Sequence, residues 1–335
     1  MRAVLFEQHG PLENLRYVED FPEPEAGPGE CLVRVRAAAL NGFDPMILRG
    51  IPGLKIPLPM VPGGDIAGEI AALGSGVDDA DWSVGDRVSV MPLLPPKMIG
   101  ETLRGGCCEY ISVPATHLIR IPDGVSYEQA ACLPVAYGTA RRMMVTRGGV
   151  SAGESVLILG ATGGVGTCCV QLAKAAGAEV VACGSSKEKT ERLKALGADH
   201  VVDTSSQDFV EEAHRLYGKP RVWGESGGVD VIVNYIGGET WAKSLKALKR
   251  DGRMLTCGAT AGFNPPTDIR YIWSFEQRII GSNGWTADDQ AALLQMVADG
   301  RIDPVIDSVR PLAQMKISMQ ELIDRKVFGK AVLTV

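Results

Sequence analysis

The sequence contains no long apolar run. No segment approaches the roughly 20 apolar residues that a membrane-spanning helix requires, and the opening MRAVLFEQHG has no apolar stretch of signal-peptide length behind a basic region. Basic residues are not in excess either, because the formal net charge is -6. A broad basic surface for phosphate backbones or anionic lipid is therefore not expected. We expect a cytoplasmic protein with neither nucleic acid nor a membrane as its partner.

Cysteine occurs eight times, but never as C-x-x-C. Two of the pairs, Cys107 with Cys108 and Cys168 with Cys169, are adjacent residues, a spacing that suits neither a disulfide nor a tetrahedral metal site. The four histidines are scattered, and no order of Ser, His and Asp or of Cys and His predicts nucleophilic catalysis. We expect reduced, buried thiols.

What the chain does contain is enough apolar material for two cores. It is 45% hydrophobic and 22% charged, and its 335 residues exceed the length that one core usually organises. Up to about Tyr127, short β-branched runs such as ECLVRVRAAAL and EYISVP are broken by glycine and proline. This punctuation predicts a β-rich domain with tight turns.

From Ser155 onward the pattern changes to strand, glycine turn and helix. SVLILG is followed by ATGGVG, then by TCCVQLAKAAGA with apolar residues at helical spacing, then by EVVACG. The alternation continues as far as GRMLTCGA, which predicts an α/β fold with a doubly wound parallel sheet and helices on both faces. After a further helix, the final strand KAVLTV is expected to return to the first domain.

A glycine-rich turn between the first of these strands and its helix predicts a dinucleotide site. Missing side chains allow a tight turn and let backbone N–H groups reach a pyrophosphate at the helix N-terminus. We expect the contacts to come from Gly160, Ala161, Thr162, Gly163, Gly164, Val165 and Gly166.

The end of the next strand, which lies near the cofactor ribose in this kind of fold, carries no acidic residue. It reads Gly184-Ser185-Ser186-Lys187. A carboxylate there would bind the ribose 2′-OH of NAD and repel a 2′-phosphate, whereas hydroxyl groups and a cation suit the phosphate. The pattern favours NADPH, with the alternative that the two serines cap the following helix.

Several motifs occur in one order along nearly the whole chain. They are Pro28-Gly29-Glu30, Asn41-Gly42-Phe43-Asp44, Pro62-Gly63-Gly64-Asp65-Ile66-Ala67-Gly68, Gly85-Asp86-Arg87-Val88, Gly105-Gly106, Ala161-Thr162-Gly163-Gly164-Val165-Gly166 and Gly329-Lys330. This set resembles the medium-chain dehydrogenase/reductase superfamily, closest to its zinc-independent quinone oxidoreductase branch. The resemblance implies a GroES-like catalytic domain (1–126 and 285–335) around a central Rossmann NADPH-binding domain (127–284).

The chain departs from the zinc alcohol dehydrogenases of that superfamily at their ligand positions. Those enzymes carry Cys where this chain has Asn41, His followed by Glu where it has Gly64-Asp65, and a third ligand near Val135. Gly and Val offer no donor atom for Zn²⁺. Their four-cysteine structural zinc loop is missing as well, since residues 91–106 contain no cysteine. We therefore expect no metal.

Without a metal to stabilise an alkoxide, oxidation of alcohols becomes less favourable. A quinone or an α,β-unsaturated carbonyl needs less help, because conjugation spreads the charge that develops as hydride arrives. NADPH-dependent reduction of such an acceptor is the preferred function. The alternatives are a zinc-independent alcohol dehydrogenase or carbonyl reductase, and a low-turnover NADPH-binding protein.

The resemblance also implies roles for individual residues. The candidate catalytic residues are Asn41, Asp44 and Tyr137, with a helix cap, a turn and a packed aromatic as their respective structural alternatives. Further candidate cofactor contacts are Thr139, Asn234, Gly258, Asn283, Gly284 and Lys330.

The expected substrate is a small hydrophobic carbonyl compound or quinone. Two apolar loops, 51–61 and 91–99, could line its pocket or pack an oligomer interface. Relatives in this superfamily usually dimerise through edge strands of their Rossmann sheets, so a homodimer is expected, with the segment from Arg278 to Gly281 as the analogous strand.

Overall fold

The computed structural model describes residues 1–335 and divides into two compact units. We call residues 1–138 with 286–335 the terminal unit, and residues 139–285 the central unit. The first boundary falls at 138/139 rather than at the predicted 126/127. The reason is that the helical segment after Ser126 packs on strands of the terminal unit, although the sequence loses its β-rich texture there.

The N-terminal part of the terminal unit consists mainly of strands. They are β1 (Ala3–Leu5), β2 (Arg16–Val18), β3 (Glu30–Ala39), β4 (Asp65–Leu73), β5 (Arg87–Val90), β6 (Leu93–Leu94), β7 (Lys97–Met98), β8 (Tyr110–Pro114) and β9 (Leu118–Arg120). This part also contains two α-helices, α1 (Asp44–Arg49) and α2 (Tyr127–Ala131), a π-helical turn, Leu133–Tyr137, and two short 3-10 helices, Leu12–Asn14 and Ala115–His117.

The central unit alternates strands and helices, as predicted. Its strands are β10 (Ser155–Ile158), β11 (Glu179–Gly184), β12 (His200–Asp203), β13 (Val229–Val233), β14 (Leu248–Thr256) and β15 (Arg278–Gly281). After α3 (Gly138–Arg141) and a π-helical segment, Arg142–Arg147, its helices are α4 (Gly164–Ala175), α5 (Lys187–Ala195), α6 (Phe209–Tyr217), α7 (Glu239–Ala247) and α8 (Ile269–Ser274).

The last residues return to the terminal unit. They form α9 (Ala287–Ala298), β16 (Ile306–Pro311), α10 (Met315–Ile323) and β17 (Lys330–Thr334). Strand β17 pairs antiparallel with β3 and parallel with β16. The sheet order is β16-β17-β3-β4-β5-β9, with β8 also pairing with β3. The predicted return of the C-terminal strand is confirmed.

The central sheet is parallel throughout, with strand order β12-β11-β10-β13-β14-β15. Because β10 is covered on both faces, its Val156, Leu157 and Ile158 are fully buried, which explains why the sequence there is a continuous apolar run. This order is that of a doubly wound nucleotide-binding fold. Strand β15 lies at the edge of the sheet, and its pairing with a second copy stays a prediction.

Seven of the eight cysteines are buried, and Cys257 is partly exposed. None of the helices combines the length and the apolar character needed to traverse a lipid bilayer.

Candidate active site

The glycine turn of the central unit connects β10 to α4, and two of its glycines are required by close packing. Gly160 has φ +66°, and a Cβ atom on Gly166 would lie 2.3 Å from the Gly160 carbonyl oxygen. The turn is held by two further contacts: the Ala161 N–H donates to Cys183 O, and the Tyr235 hydroxyl donates to Gly160 O at 2.6 Å. The sequence analysis did not single out Tyr235. The pattern that could have identified it is an aromatic residue just after a buried strand.

The N-terminus of α4 fits an anionic group. Its N-cap residue, Gly163, has no side chain to accept hydrogen bonds from the first N–H groups of the helix. Residues 162–165 keep part of their surface exposed, whereas Ala161 and Gly166 are buried. Unpaired N–H groups at the positive end of a twelve-residue helix are a suitable cradle for a pyrophosphate.

The end of β11 presents hydroxyl groups and a cation, and no carboxylate. Gly184 is packed closely, since a Cβ atom there would meet Thr190 Cγ2 at 3.1 Å. Ser186 caps α5 by accepting from the Lys189 N–H, so the capping alternative is confirmed for that residue. Ser185 and Lys187 are exposed and stay candidate contacts.

Asn234 does not offer its side chain to a cofactor. It is fully buried; its Oδ1 accepts from the backbone N–H groups of Ile236 and Gly237, and its Nδ2 donates to Ser244 Oγ. Its backbone N–H is also used, by Leu255 O. The Asn234 side chain thus shapes the turn between β13 and α7, and the contact with a cofactor that was expected through the backbone stays a prediction.

A cavity of about 760 Å³ lies within the central unit, beside the carboxyl ends of β14 and β15. Gly258 and Asn283, two candidate cofactor contacts, line it, and Gly284 follows with φ +66°. The remaining lining includes Arg142, Arg147, Trp241 and Phe263, which the sequence did not single out. Neither apolar loop of the terminal unit lines this cavity.

In the terminal unit, a cluster of buried polar side chains joins three parts of the chain. Lys330 Nζ donates to Asp65 Oδ2 at 2.7 Å, to Asn41 Oδ1 at 2.7 Å and to Leu40 O at 2.8 Å. Asn41 Nδ2 donates to the same Asp65 oxygen at 2.9 Å. Lys330 is 2% exposed, Asp65 0% and Asn41 6%. We call Asn41, Asp44, Asp65 and Lys330 the polar cluster.

Two backbone groups complete the polar cluster. The Val135 N–H donates to Asp65 Oδ1 at 2.8 Å, and the Asn41 N–H donates to Asp44 Oδ2 at 2.7 Å. The other oxygen of Asp44, Oδ1, is buried without a hydrogen-bond partner. Burial raises the pKa of Asp44 to about 7, an effect that the Asn41 N–H and the Lys330 charge oppose. Asp44 thus bears a proton much more readily than an ordinary carboxyl group.

Comparison with known proteins decides the family. A family model described as "Alcohol dehydrogenase GroES-like domain" matches residues 27–123, and one described as "Zinc-binding dehydrogenase" matches residues 164–299. The human synaptic vesicle membrane protein VAT-1 homolog is 31% identical to this chain, over 92% of the chain and 80% of that protein. The chain belongs to the medium-chain dehydrogenase/reductase superfamily.

Other members of the superfamily lie at similar distances. Human quinone oxidoreductase is 29% identical over 96% of this chain and 94% of that protein. Crotonyl-CoA reductase of Streptomyces avermitilis is 29% identical over 88% and 76%, respectively. A solved NAD-dependent alcohol dehydrogenase superposes with a TM-score of 0.91 at 34% identity, covering 100% of both chains. The chain falls in the quinone oxidoreductase-like branch of this oxidoreductase superfamily, which binds nicotinamide cofactors.

Two residues assigned through resemblance to the medium-chain dehydrogenases have other roles in this chain. Lys330 cannot reach a cofactor phosphate, because all three of its N–H groups are used inside the terminal unit. Tyr137 is fully buried, and its hydroxyl accepts from the Val305 N–H at 2.9 Å, as expected for a packed aromatic residue with a satisfied hydroxyl. Thr139 is half-buried at the start of the central unit and stays a candidate cofactor contact.

The positions where zinc-containing medium-chain dehydrogenases carry ligands hold a different donor set here. Asn41 is bound by Lys330 and Asp65, and a Cβ atom on Gly64 would lie 2.9 Å from Ile99 O. Val135 contributes only its backbone N–H. No three His, Cys, Asp or Glu side chains are gathered as a metal ion would need. This donor set does not fit zinc.

Proposed function

We propose that the protein is a zinc-independent, NADPH-dependent reductase of quinones or α,β-unsaturated carbonyl compounds. The observation that carries this proposal is the polar cluster, in which the Lys330 ammonium binds the Asn41 amide and the Asp65 carboxylate, two side chains at positions that correspond to the zinc-ligand motifs of related enzymes. Such a cluster supplies hydrogen bonds rather than a Lewis acid. It suits an acceptor whose developing negative charge is already spread by conjugation.

The central unit would hold the cofactor through its glycine turn. The backbone N–H groups at the start of α4 receive the pyrophosphate, and Ser185 and Lys187 receive the 2′-phosphate. When bound, the nicotinamide supplies the hydride. Gly258 and Asn283 line the cavity at the carboxyl ends of the strands, which is where doubly wound sheets bind ligands.

The terminal unit would contribute the group that polarises the acceptor. Asn41 is the member of the polar cluster with the largest exposed fraction, 6%, and its amide has an N–H beyond the one given to Asp65. A hydrogen bond from that N–H to the carbonyl or quinone oxygen strengthens as negative charge develops there. Removing one such donor typically slows a reaction by about 10² to 10³-fold.

The names of the relatives support the proposed class of acceptor and indicate which second activity should be compared. Quinones and an unsaturated acyl thioester are the acceptors that the names of two relatives indicate. The similarity to an NAD-dependent alcohol dehydrogenase favours a second candidate, metal-free interconversion of a saturated ketone and its alcohol, and it makes NADH the cofactor to compare.

The test is the oxidation of NADPH and NADH by purified, chelator-treated protein. A quinone, an unsaturated ketone and its saturated analogue are compared side by side, and the dissociation constants of both cofactors are measured. The proposal expects turnover of the quinone or enone with NADPH, unchanged by the chelator. Preference for the saturated ketone supports the second candidate, and tight NADPH binding without turnover of any acceptor supports a cofactor-binding protein.

A further inference from the structure

We infer that Lys330 is a positioning residue: together with Asp65 it locks the Asn41 amide in one orientation, with a single N–H left to bind the acceptor oxygen. This inference rests on the proposed function, in which Asn41 contacts the acceptor. It gives the chain's most deeply buried lysine a role in the reaction in place of the cofactor contact that its sequence position suggested.

The orientation of the Asn41 amide follows from the chemistry of its two neighbours. The Lys330 ammonium can only donate, so the atom 2.7 Å from Nζ must be the amide oxygen. The Asp65 carboxylate accepts, so the atom 2.9 Å from its Oδ2 must be the amide nitrogen. Flipping the amide would place donor against donor and oxygen against carboxylate. The two charges therefore exclude the flipped state.

Of the N–H groups of Lys330 and Asn41, one has no partner within the polar cluster and can bind a ligand. The three N–H groups of Lys330 go to Leu40 O, Asn41 Oδ1 and Asp65 Oδ2. The Asn41 backbone N–H goes to Asp44. An amide nitrogen carries two N–H groups, and Asp65 takes one of them. The second amide N–H of Asn41 is the donor that the polar cluster can present to a substrate.

The two locking residues are themselves held by the sheet. Lys330 is the first residue of β17, and its backbone N–H donates to Val305 O. Asp65 is the first residue of β4, and its second oxygen accepts from the Val135 N–H. Fixed backbone anchors on both sides leave the ammonium and the carboxylate little freedom, so the Asn41 amide is set before any acceptor binds. Such preorganisation is what makes a hydrogen-bond donor effective in a reaction.

A double-mutant cycle separates positioning from plain structural support. Removing Lys330 alone would leave Asp65 as a buried unpaired charge, so we use the neutral pair Lys330→Met with Asp65→Asn. This pair is made in the native chain and in an Asn41→Ala background. The control removes a partly exposed ion pair between β3 and β4, the strand that also carries Asp65: Arg36→Met with Glu69→Gln. Circular dichroism, the melting temperature and the NADPH dissociation constant report on folding and on the cofactor site.

The primary readout is the rate of NADPH oxidation in a single turnover at saturating enone or quinone. We expect the neutral pair to slow this step about tenfold or more in the native chain and less than twofold in the Asn41→Ala background, because Lys330 acts through Asn41. The control pair should change neither rate. Equal slowing in both backgrounds would make Lys330 a scaffold residue only and would overturn the inference. So would an Asn41→Ala variant that turns over normally.

A second readout does not need turnover. A phenolate such as 4-nitrophenolate mimics an acceptor oxygen that bears negative charge, and its binding can be followed by absorbance. The neutral pair should weaken its binding about tenfold in the native chain and leave it unchanged in the Asn41→Ala background. If no acceptor is reduced and this pattern still appears, the proposed function fails and the positioning role stands. If the phenolate binds equally to all variants, the positioning role fails.

Discussion

The two units build their candidate sites in opposite ways. In the central unit, the turn from Gly160 to Gly166 works because side chains are missing, so that backbone N–H groups are exposed at a helix end. In the terminal unit, the polar cluster works because charged side chains are buried against one another. The first arrangement depends on the space around the backbone, and the second depends on the balance of charges among buried side chains. Substitutions in the central unit should therefore destabilise it through steric clashes, and those in the terminal unit through unpaired buried charges.

The largest effect is expected from Asp65→Ala in the terminal unit. It leaves the Lys330 ammonium buried without its counter-ion and removes the acceptor of the Asn41 amide and the Val135 N–H. Breaking a buried pair from one side costs about 3–5 kcal/mol of the free energy of unfolding. Glu69→Ala is the control on the same strand, because the Glu69 pair with Arg36 is 25% and 35% exposed and should contribute about 0–1 kcal/mol. Urea denaturation measures both; equal losses would contradict the electrostatic account.

Asp44→Asn tests the same balance through pH. The pKa of Asp44 is raised from 3.8 to about 7 by burial, so the folded state binds a proton more tightly than the unfolded state. The stability that this group contributes is present below about pH 4 and is lost as pH rises to about 7, a change on the order of 4 kcal/mol. Asparagine imitates the protonated form. Relative to the native chain, the variant should therefore gain stability as pH rises.

The measurement is urea denaturation of the native chain and Asp44→Asn between pH 5 and 8.5. Comparing the two cancels the titration of the carboxyl groups elsewhere, such as Asp86 and Glu109, whose pKa values are lowered first by hydrogen bonds from backbone N–H groups and then by their arginine partners. Parallel pH profiles would show that Asp44 titrates as an ordinary carboxyl group and that the polar cluster does not depend on its protonation.

In the central unit, Gly166→Ala tests the dependence on space. Its Cβ atom would lie 2.3 Å from Gly160 O, so the turn must open, at a cost of about 1–3 kcal/mol. Gly163→Ala is the matched control, since the nearest atom to its Cβ, Gly160 O, is 3.9 Å away. We expect it to lose less stability than Gly166→Ala, since only a weak N-cap preference is lost, and to bind NADPH less tightly, because its methyl group would lie at the proposed pyrophosphate site. Equal melting temperatures for the two variants would show that the turn can accommodate a methyl group at position 166 without loss of stability.

The smallest effect is expected at the end of β11. Ser186→Ala removes the N-cap of α5 and should cost about 1 kcal/mol. Ser185→Ala removes an exposed hydroxyl that caps no helix, so it should leave the melting temperature unchanged and weaken binding of NADPH more than binding of NADH. If the two variants lose the same stability and neither changes the preference for NADPH over NADH, the end of β11 does not bind the 2′-phosphate.

Much of the central unit could be read from the sequence because its signals are local. A buried strand, a glycine turn and an amphipathic helix follow one another within about twenty residues, and the turn at Gly160 appears where it was expected. The role of the Asn234 side chain could not be predicted, because its position after a strand does not specify its hydrogen-bond partners. The side-chain amide of Asn234 forms hydrogen bonds within the next turn, with Ile236, Gly237 and Ser244.

The polar cluster could be found only in part. Asn41 and Asp44 were singled out by their motif, but their link to Lys330 joins residues 289 positions apart in sequence. No local pattern reports such a contact. The same holds for Tyr137, whose hydroxyl bonds to a backbone group 168 residues away, and for the first domain boundary.

The sequence by itself determined the two-domain organisation, the parallel sheet, the glycine turn and the missing zinc ligands, because each depends on residue type and on spacing along the chain. Only the tertiary structure decided where Lys330 points, which atoms satisfy Asn41 and how deeply Asp44 is buried. Those properties arise from packing between β3, β4 and β17, where a buried charge is stable only beside a partner.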